Sequence, residues 1–282
     1  MRFWWERLPE RLEYEIAELT AAGILCEIDR DALERGFAVL NLRHTVQDRE
    51  LSFIVRFPDT YPYMRFEVEA PDLKLRHHQN PFRKNLCMIG RSTENWCTED
   101  TVASYFKDRL PAVIQSGSSA DPQEVKDLEE LQGEPVTDYY TYFPNSVVIV
   151  DSSWSIDPEI KGGILELGIE KNLTQGLRCA VCTVKDWKDN ILAKADPKLS
   201  RLYPERVEGR WVRSQKAILE DDCNKFLSQI IALDKTFSSK KWQNIKGRRI
   251  SIIGVLFPEE VAWRQEKDGW IFLVIDWNSR AK

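Results

Sequence analysis

Two of the three histidines and two of the six cysteines lie in one short stretch, LRHHQNPFRKNLCMIGRSTENWCTED at 75–100. Such side chains could bind a metal ion or supply a nucleophile. The four available to a zinc ion would be His77, His78, Cys87 and Cys97. However, adjacent histidines rarely face one ion together, and these spacings match no standard zinc pattern. The stretch therefore favours thiol chemistry, and we expect neither a metal ion nor a cofactor.

Cys87 is the candidate nucleophile of this stretch. It lies in irregular sequence between strand-like and helix-like segments, where a scaffold commonly presents reactive groups. His78 and Asn80 precede it and can form hydrogen bonds within the same loop, and Trp96 follows it and can wall the loop against the next helix. The alternative is that Cys87 is a small buried side chain, as lone cysteines usually are.

A second cysteine pair, CAVC at 179–182, matches half of a common zinc pattern. A structural zinc site usually needs four ligands, but only Cys223 follows this pair and no histidine follows His78. Residues three apart on a strand also point to opposite faces. We therefore expect Cys179 and Cys182 to be packed core thiols.

A basic stretch at 235–251, KTFSSKKWQNIKGRRIS, carries Trp242 among its lysines and arginines. It could contact nucleic acid through phosphate contacts and stacking. The chain as a whole has a net charge of −5, which does not favour nucleic acid or an anionic membrane surface. We interpret the stretch as a solvated hairpin and expect no nucleic-acid partner.

The elements that must position the loop are predicted on either side of it. Apolar residues at helical spacing in 5–22 predict an amphipathic helix that ends near Gly23. An antiparallel meander of four strands follows, with the segments LCEIDRD, GFAVLNLRHTV, RELSFIVRFPD and RFEVEAPDL. After the loop, 99–115 predicts a second helix that Asp100 could cap.

The length of 282 residues suggests two domains. The best boundary is the acidic, Pro- and Gly-punctuated segment SGSSADPQEVKDLEELQGEP. The region beyond it predicts an independent β-rich α+β domain. Its candidate strands are NSVVIVD, GGILELGIE, LRCAVCTV, EGRWVRS, RRISIIGVLF and GWIFLVIDW, and its helix is DDCNKFLSQIIALDK.

The composition is that of a globular protein, with 43% hydrophobic and 30% charged residues. The longest apolar runs are too short to span a bilayer. The N-terminal segment has early acidic residues and no small-residue cleavage site, so it does not have the pattern of a signal peptide. These features predict a cytoplasmic protein without a membrane partner, whose cysteines are free thiols.

The order of these elements resembles the ubiquitin-conjugating enzyme (UBC) family. The family has a helix, a four-stranded antiparallel meander, a Tyr-Pro segment, a His-Pro-Asn turn, a Leu-Cys or Ile-Cys pair, a Trp, and a second helix followed by Asp-Pro. The matching residues are Tyr61-Pro62, His78-Gln79-Asn80, Leu86-Cys87, Trp96 and Asp121-Pro122. The middle proline of the turn is Gln79 here, and a proline follows at Pro81. The resemblance covers 1–125.

The resemblance implies a transferase that carries a ubiquitin-like protein as a thioester on Cys87 and passes it to an amine of a target. It implies that Asn80 stabilises the oxyanion, that His78 holds the turn together, and that Asp121 orients or deprotonates the incoming lysine. The alternative from another class is a UBC-like binding scaffold without catalysis. Retention of Cys87 in the Leu-Cys pair favours the enzyme.

The closest resemblance is to bacterial members of this family that are joined to a ThiF-like activating domain, which implies a role in protein conjugation and in antiphage defence. The implied domains are 1–125, the conjugating domain, 126–143, an acidic connector, and 144–282, an accessory α+β domain. No GxGxxG loop is present in the sequence, so a separate or C-terminally fused activating enzyme is an expected partner. The accessory domain is expected to have no catalysis of its own.

Overall fold

The computed structural model describes residues 3–89, 96–121, 135–140, 146–170, 176–234, 242–245, 247–262 and 265–277. The chain forms two compact units, 1–132 and 133–282. Both combine helices with a β-sheet, so the fold class is mixed α+β, as the sequence predicts.

The first unit places helices before and after a four-stranded sheet. Its elements are α1 (Trp4–Arg7), α2 (Pro9–Ala21), β1 (Leu25–Ile28), α3 (Arg30–Glu34), β2 (Ala38–Val46), β3 (Arg49–Phe57), β4 (Glu67–Glu69), α4 (Val102–Asp108) and α5 (Leu110–Ser118). The strands are antiparallel neighbours in the order β1-β2-β3-β4. The four segments predicted as a meander therefore form one.

Strands β2 and β3 form a tight hairpin whose turn residues are Gln47 and Asp48. Both have positive φ, 49° and 61°, which is the backbone of a two-residue type I′ turn. Alternate residues of each strand are buried, including Leu42 and Phe53, because successive side chains point to opposite faces. One face of the sheet consequently packs against the helices and forms the core of this unit.

Each of the two predicted helices of this unit is divided in the structure. The first breaks at Leu8, ahead of Pro9, and the second breaks at Arg109, ahead of Pro111. Proline has no N–H and fits the first turn of a helix better than its interior. The predicted cap, Asp100, was also wrong, because the residue that caps α4 is Thr101, whose hydroxyl accepts the Ser104 N–H at 3.1 Å.

The second unit is built on an eight-stranded mixed sheet. Its elements are a 3-10 turn (Val136–Tyr139), β5 (Ser146–Ile149), β6 (Gly162–Ile169), β7 (Leu177–Asp186), β8 (Ile191–Lys194), α6 (Pro197–Leu202), β9 (Glu205–Arg213), α7 (Cys223–Leu233), β10 (Gln243–Ile245), β11 (Arg248–Ala262) and β12 (Gln265–Asp276). The order is β10-β11-β9-β6-β7-β5, with β12 paired to β11 and β8 to β7.

Both faces of this sheet carry buried apolar side chains. One cluster centres on Leu165 and Trp211, and the other joins Val255 and Phe257 to Phe226 of α7. All six predicted strands and the predicted helix are present, whereas β8, β10 and α6 were not predicted.

The predicted connector, 126–143, lies mostly outside the described residues. Its described part, 135–140, belongs to the second unit, where the Thr137 N–H donates to the Glu259 carboxylate at 2.7 Å and the Tyr140 ring packs against Phe226. Residues 242–245 and 247–251 of the predicted basic hairpin are described, and there β10 pairs antiparallel with the start of β11, as a hairpin requires. Among the described helices, none is long and apolar enough to cross a membrane.

Candidate functional site

Cys87 and His78 face each other across a hairpin formed by 78–87, which follows β4. The Cys87 N–H donates to the His78 carbonyl at 2.8 Å, and Gln79 and Leu86 form an antiparallel bridge beside this bond. Cys87 is partly exposed, whereas only 2% of the His78 surface is accessible. His78 has a φ of 61°, a conformation that few residues other than glycine adopt. The candidate nucleophile thus occupies an accessible position on a defined backbone.

Asn80 closes the tip of this hairpin through its side-chain carbonyl. The Oδ1 atom accepts the N–H groups of Phe82 at 2.9 Å and Arg83 at 3.0 Å. The Asn80 backbone is joined to Lys84 and Asn85 by two further hydrogen bonds of 2.9 and 2.8 Å. An asparagine side chain commonly stabilises a turn in this way. The side-chain oxygen of Asn80 therefore stabilises the turn, whereas the side-chain NH2 is the group that could donate to an oxyanion.

The second arm of the hairpin extends the sheet beyond β4. The Leu86 N–H donates to the Val68 carbonyl at 2.7 Å, and the Ala70 N–H donates to the Lys84 carbonyl at 2.9 Å. Leu86 is buried, so its side chain anchors this arm in the core. Cys87 consequently takes its position from the edge of the sheet.

The segment before the hairpin is attached to the end of α5. The N–H groups of Arg76 and His77 both donate to the Gly117 carbonyl, at 2.6 and 3.3 Å. A Cβ atom on Gly117 would lie 2.6 Å from the His77 carbonyl oxygen, so this close approach requires glycine. Asp121 is exposed and lies four residues beyond Gly117, a reach of at most about 14 Å. This separation limits the distance of Asp121 from the point where the segment before the hairpin meets α5, and its proposed role near Cys87 stays a prediction.

Gln79 is a buried residue that the sequence did not single out as functional. Its Oε1 accepts the Leu75 N–H at 2.9 Å, and its Nε2 donates to the Ala70 carbonyl at 3.0 Å and lies 3.5 Å from the Lys84 carbonyl. One side chain thus connects Ala70 at the end of β4, Leu75 before the hairpin and Lys84 in the second arm. Nothing in the sequence pattern distinguishes this glutamine from an exposed one.

Trp96 packs between α4 and the segment that precedes β4. Its indole N–H donates to the Pro62 carbonyl at 2.8 Å. Its ring contacts Tyr61, Phe66 and Tyr105, with ring centroids 6.1, 5.5 and 5.9 Å apart. Trp96 therefore packs against Tyr105 of α4 and against the segment 61–66, and its role as a wall for the Cys87 loop stays a prediction.

A buried carboxylate, Glu15 of α2, fixes the start of α4. Its Oε2 accepts the Val102 N–H at 2.9 Å, which satisfies one of the free N–H groups of the helix. Its Oε1 accepts hydrogen bonds from Arg11 at 2.8 Å and from the Tyr61 hydroxyl. We call Arg11, Glu15 and Tyr61 the Glu15 cluster. A charged residue on the apolar face of an amphipathic helix was the sequence signal that could have revealed it.

Burial governs the ionisation of the groups in and around this cluster. It raises the pKa of Glu15 against the hydrogen bonds from Tyr61, Val102 and Arg11, which lower it. It also raises the pKa of Tyr61, with a further contribution from the Glu15 charge. The pKa of the Cys26 thiol is about 11, because of burial and then of Glu15. Cys26 is therefore a poor nucleophile at neutral pH.

The other thiols fall into two groups. Cys179 and Cys182 are buried in β7, as predicted, and burial raises the pKa of Cys179 to about 12. Cys97 and Cys223 are exposed. Cys97 begins the turn before α4, where its N–H donates to Asp100 at 3.1 Å. In the described parts of the chain, no three His, Cys, Asp or Glu side chains are grouped so that they could hold a metal ion.

The second unit contains a cavity of about 1050 Å³. Trp154, Trp187 and Val212 contribute apolar surface to it, and Arg213 and Asp268 form an ion pair of 3.0 Å in its wall. Arg213 also donates to two backbone carbonyls of the adjacent loop. None of the described residues that line this cavity is cysteine or histidine.

No protein-family model matches the chain. Two curated proteins of Sinorhizobium fredii are similar to it. Uncharacterized protein y4oA is 24% identical over 289 residues, which cover 96% of this chain and 48% of y4oA. Uncharacterized protein y4qC is 23% identical over 185 residues, which cover 62% of this chain and 30% of y4qC. The chain thus spans about half the length of the first relative, and the match to the second covers less.

Proposed function

We propose that this protein is a ubiquitin-conjugating-like transferase that carries a ubiquitin-like modifier on Cys87. The observation that carries the proposal is the hairpin 78–87, in which an accessible cysteine is hydrogen-bonded through its backbone to His78. The order of helices, antiparallel meander, loop and helices in the first unit also agrees with a UBC-like arrangement. The second unit, 133–282, is the accessory part of the transferase.

The proposed reaction has two acyl transfers. In the first, the Cys87 thiolate attacks the carbonyl carbon of a modifier thioester held by a ThiF-like activating enzyme. A new C–S bond forms, the bond to the donor sulfur breaks, and the donor leaves as a thiolate. In the second, an amine of the target attacks the same carbonyl carbon. The amide bond forms, the amine loses a proton, and Cys87 leaves as a thiolate.

Asn80 has the chemistry needed in the second step. The developing oxyanion needs a donor that is already in place, and the hairpin fixes Asn80 through its carbonyl end. His78 has a structural role, since its carbonyl accepts the Cys87 N–H and its side chain is buried. Asp121 is exposed four residues beyond Gly117, and its role is to orient or deprotonate the incoming lysine.

The ATP-dependent step belongs to a partner or to a further part of a longer protein. The curated relative y4oA has about half of its length outside the region that matches this chain. An activating domain in that region would be compatible with the proposal, and so would a separate enzyme. The biological setting that we propose is conjugation during antiphage defence.

The test uses ubiquitin activated as a C-terminal thioester of 2-mercaptoethanesulfonate, which donates the acyl group without an activating enzyme. Incubation with the full chain should give an adduct that reducing agent removes. Cys87→Ala should abolish it, and Cys87→Ser should give only a slow, reductant-resistant ester because a hydroxyl ionises far less readily.

Cys97→Ala is the matched control, since Cys97 is the other described thiol of the loop region and is more exposed. Its adduct should form at the rate of the unmodified protein. Normal charging of Cys87→Ala together with loss of charging in Cys97→Ala would show that Cys97, and not Cys87, is the acceptor. An adduct that survives both substitutions would contradict the proposal altogether.

A further inference from the structure

The position of Cys87 depends on two arms that are held by different parts of the first unit. The second arm is held by the end of β4 through the hydrogen bonds between Leu86 and Val68 and between Lys84 and Ala70. The first arm begins at His78, and the segment just before it is held by α5 through the bonds of Arg76 and His77 to Gly117. A side chain that joins the two arms would therefore set the geometry of the whole hairpin.

Gln79 is placed to do this. Only 5% of its surface is accessible, and its amide reaches Leu75 before the hairpin and Ala70 at the end of β4. Its backbone lies opposite Leu86, so it is next to the pair formed by His78 and Cys87. The Leu75 N–H, which is partly buried, has the Gln79 oxygen as its acceptor, and loss of that acceptor leaves the donor without its partner inside the loop.

We infer that Gln79 is a positioning residue that holds Cys87 in the geometry needed for acyl transfer. The inference rests on the proposed function of Cys87. It assigns to Gln79 no contact with the acyl group, because its side chain is directed at backbone groups of the loop. Its effect is exerted through the hairpin, and a displacement of about 1 Å at a reacting atom can slow a reaction by about 100-fold.

Two substitutions separate the two ends of the amide. Gln79→Met has a similar length and removes both the acceptor and the donor. Gln79→Glu keeps an acceptor for the Leu75 N–H but turns a carboxylate oxygen towards the carbonyls of Ala70 and Lys84. Protonation of that carboxylate restores a donor, so its defect should diminish as the pH falls. Gln215→Met is the matched control, because Gln215 is exposed in the second unit.

The first measurement is acyl transfer to Cys87 from a glycylglycine thioester of 2-mercaptoethanesulfonate, followed by peptide mapping. Gln79→Met should slow it by about 10- to 100-fold, and Gln215→Met should not change it. For Gln79→Glu, the ratio of its rate to that of the unmodified protein should increase as the pH is lowered from 8 to 5.5. A rate for Gln79→Met equal to that of the unmodified protein would overturn the inference.

The second measurement is alkylation of Cys87 by iodoacetamide, which needs no acyl donor. Release of the hairpin should expose the sulfur further, so alkylation of Cys87 in Gln79→Met should be faster than in the unmodified protein while acyl transfer is slower. If Gln79→Met does not fold, the Gln79→Glu rates decide, and a ratio that is independent of pH refutes the inference. If the unmodified protein accepts no acyl group, the proposed function fails. The alkylation rates then decide alone, and equal rates in Gln79→Met and the unmodified protein would show that Gln79 does not position Cys87.

Discussion

Replacement of Glu15 should have the largest effect on the stability of the first unit of any single polar substitution. Its two carboxylate oxygens accept from Arg11, from the Tyr61 hydroxyl and from the Val102 N–H. Glu15→Ala leaves these three donors without their acceptor in a site where no Glu15 surface is accessible. Breaking a buried ion pair in this way costs about 3–5 kcal/mol.

Glu15→Gln should cost less. An amide keeps one oxygen, but its NH2 must face either the Val102 N–H or the pair of donors from Arg11 and Tyr61. One buried donor is then left unsatisfied, which costs about 1–3 kcal/mol. Glu13→Gln is the control on the same helix, because Glu13 is exposed, and it should change stability by less than about 0.5 kcal/mol.

Amide hydrogen exchange in α4 is the suitable assay, because it reports on the first unit while the full chain stays intact. A change of about 1.4 kcal/mol alters the exchange rate tenfold, so Glu15→Gln should accelerate exchange at the start of α4 by about 5- to 150-fold. Exchange rates that are equal in Glu15→Gln and Glu13→Gln would refute the view that Glu15 fixes this helix.

The same experiment has a pH dependence with a defined sign. Burial raises the pKa of Glu15 above the ordinary value of 4.5, so the folded state binds the proton more tightly than the unfolded state. The stability that this proton contributes is fully present below pH 4.5 and is lost as the pH rises through the raised pKa. The difference between the unmodified protein and Glu15→Gln should therefore be greater at pH 4 than at pH 8. A smaller difference at pH 4 would mean that the hydrogen bonds from Arg11, Tyr61 and Val102 outweigh burial.

Two further predictions concern Asn80 of the hairpin and Trp96. Asn80→Asp keeps the oxygen that accepts from Phe82 and Arg83 but removes the amide donor. The thioester should therefore form normally, while its transfer to an amine should slow by about 100- to 1000-fold. Single-turnover transfer to lysine measures this rate, and equal rates in the variant and the unmodified protein would exclude Asn80 as the oxyanion donor. Trp96→Phe removes the indole bond to the Pro62 carbonyl and should destabilise the first unit by about 1 kcal/mol. Trp187→Phe in the second unit serves as its exposed control, and hydrogen exchange in α4 that is unchanged by Trp96→Phe would contradict the prediction.

The strands were predictable because each long strand carries its own periodic signal. Alternating burial along β2 and β3 follows directly from the sequence. The short elements β8, β10 and α6 have between three and six residues and were not recognised. The strands β1, β4 and β5 are as short, but they lie in longer strand-like segments, LCEIDRD, RFEVEAPDL and NSVVIVD, which made them recognisable. The elements β8, β10 and α6 exist because longer neighbouring strands and helices support them, and this is information that no local pattern contains.

The candidate site was predictable only in part. Cys87 and Asn80 stand out because of their residue types and their place in a loop. Gln79 does not, because its importance lies in which backbone groups its amide reaches after the chain has folded. Glu15 belongs to the helix predicted at 5–22 and lies between Leu12 and Leu19 on the face that becomes buried. A charge at such a position indicates a partner elsewhere in the chain, but the sequence does not identify it.

The hairpin has a consequence for the tolerance of this loop to insertion. Its arms are attached separately, one to α5 through Gly117 and the other to the edge of β4, and the tip between them is a turn closed by Asn80. Extra residues between Phe82 and Arg83 would lengthen only that tip, and each doubling of a flexible loop costs only about 0.6 kcal/mol in closure entropy. A short epitope inserted there should leave Cys87 in register with His78. The same insertion between Leu75 and Gln79 would disrupt it, so the tip is the natural place to attach a label beside the thiol.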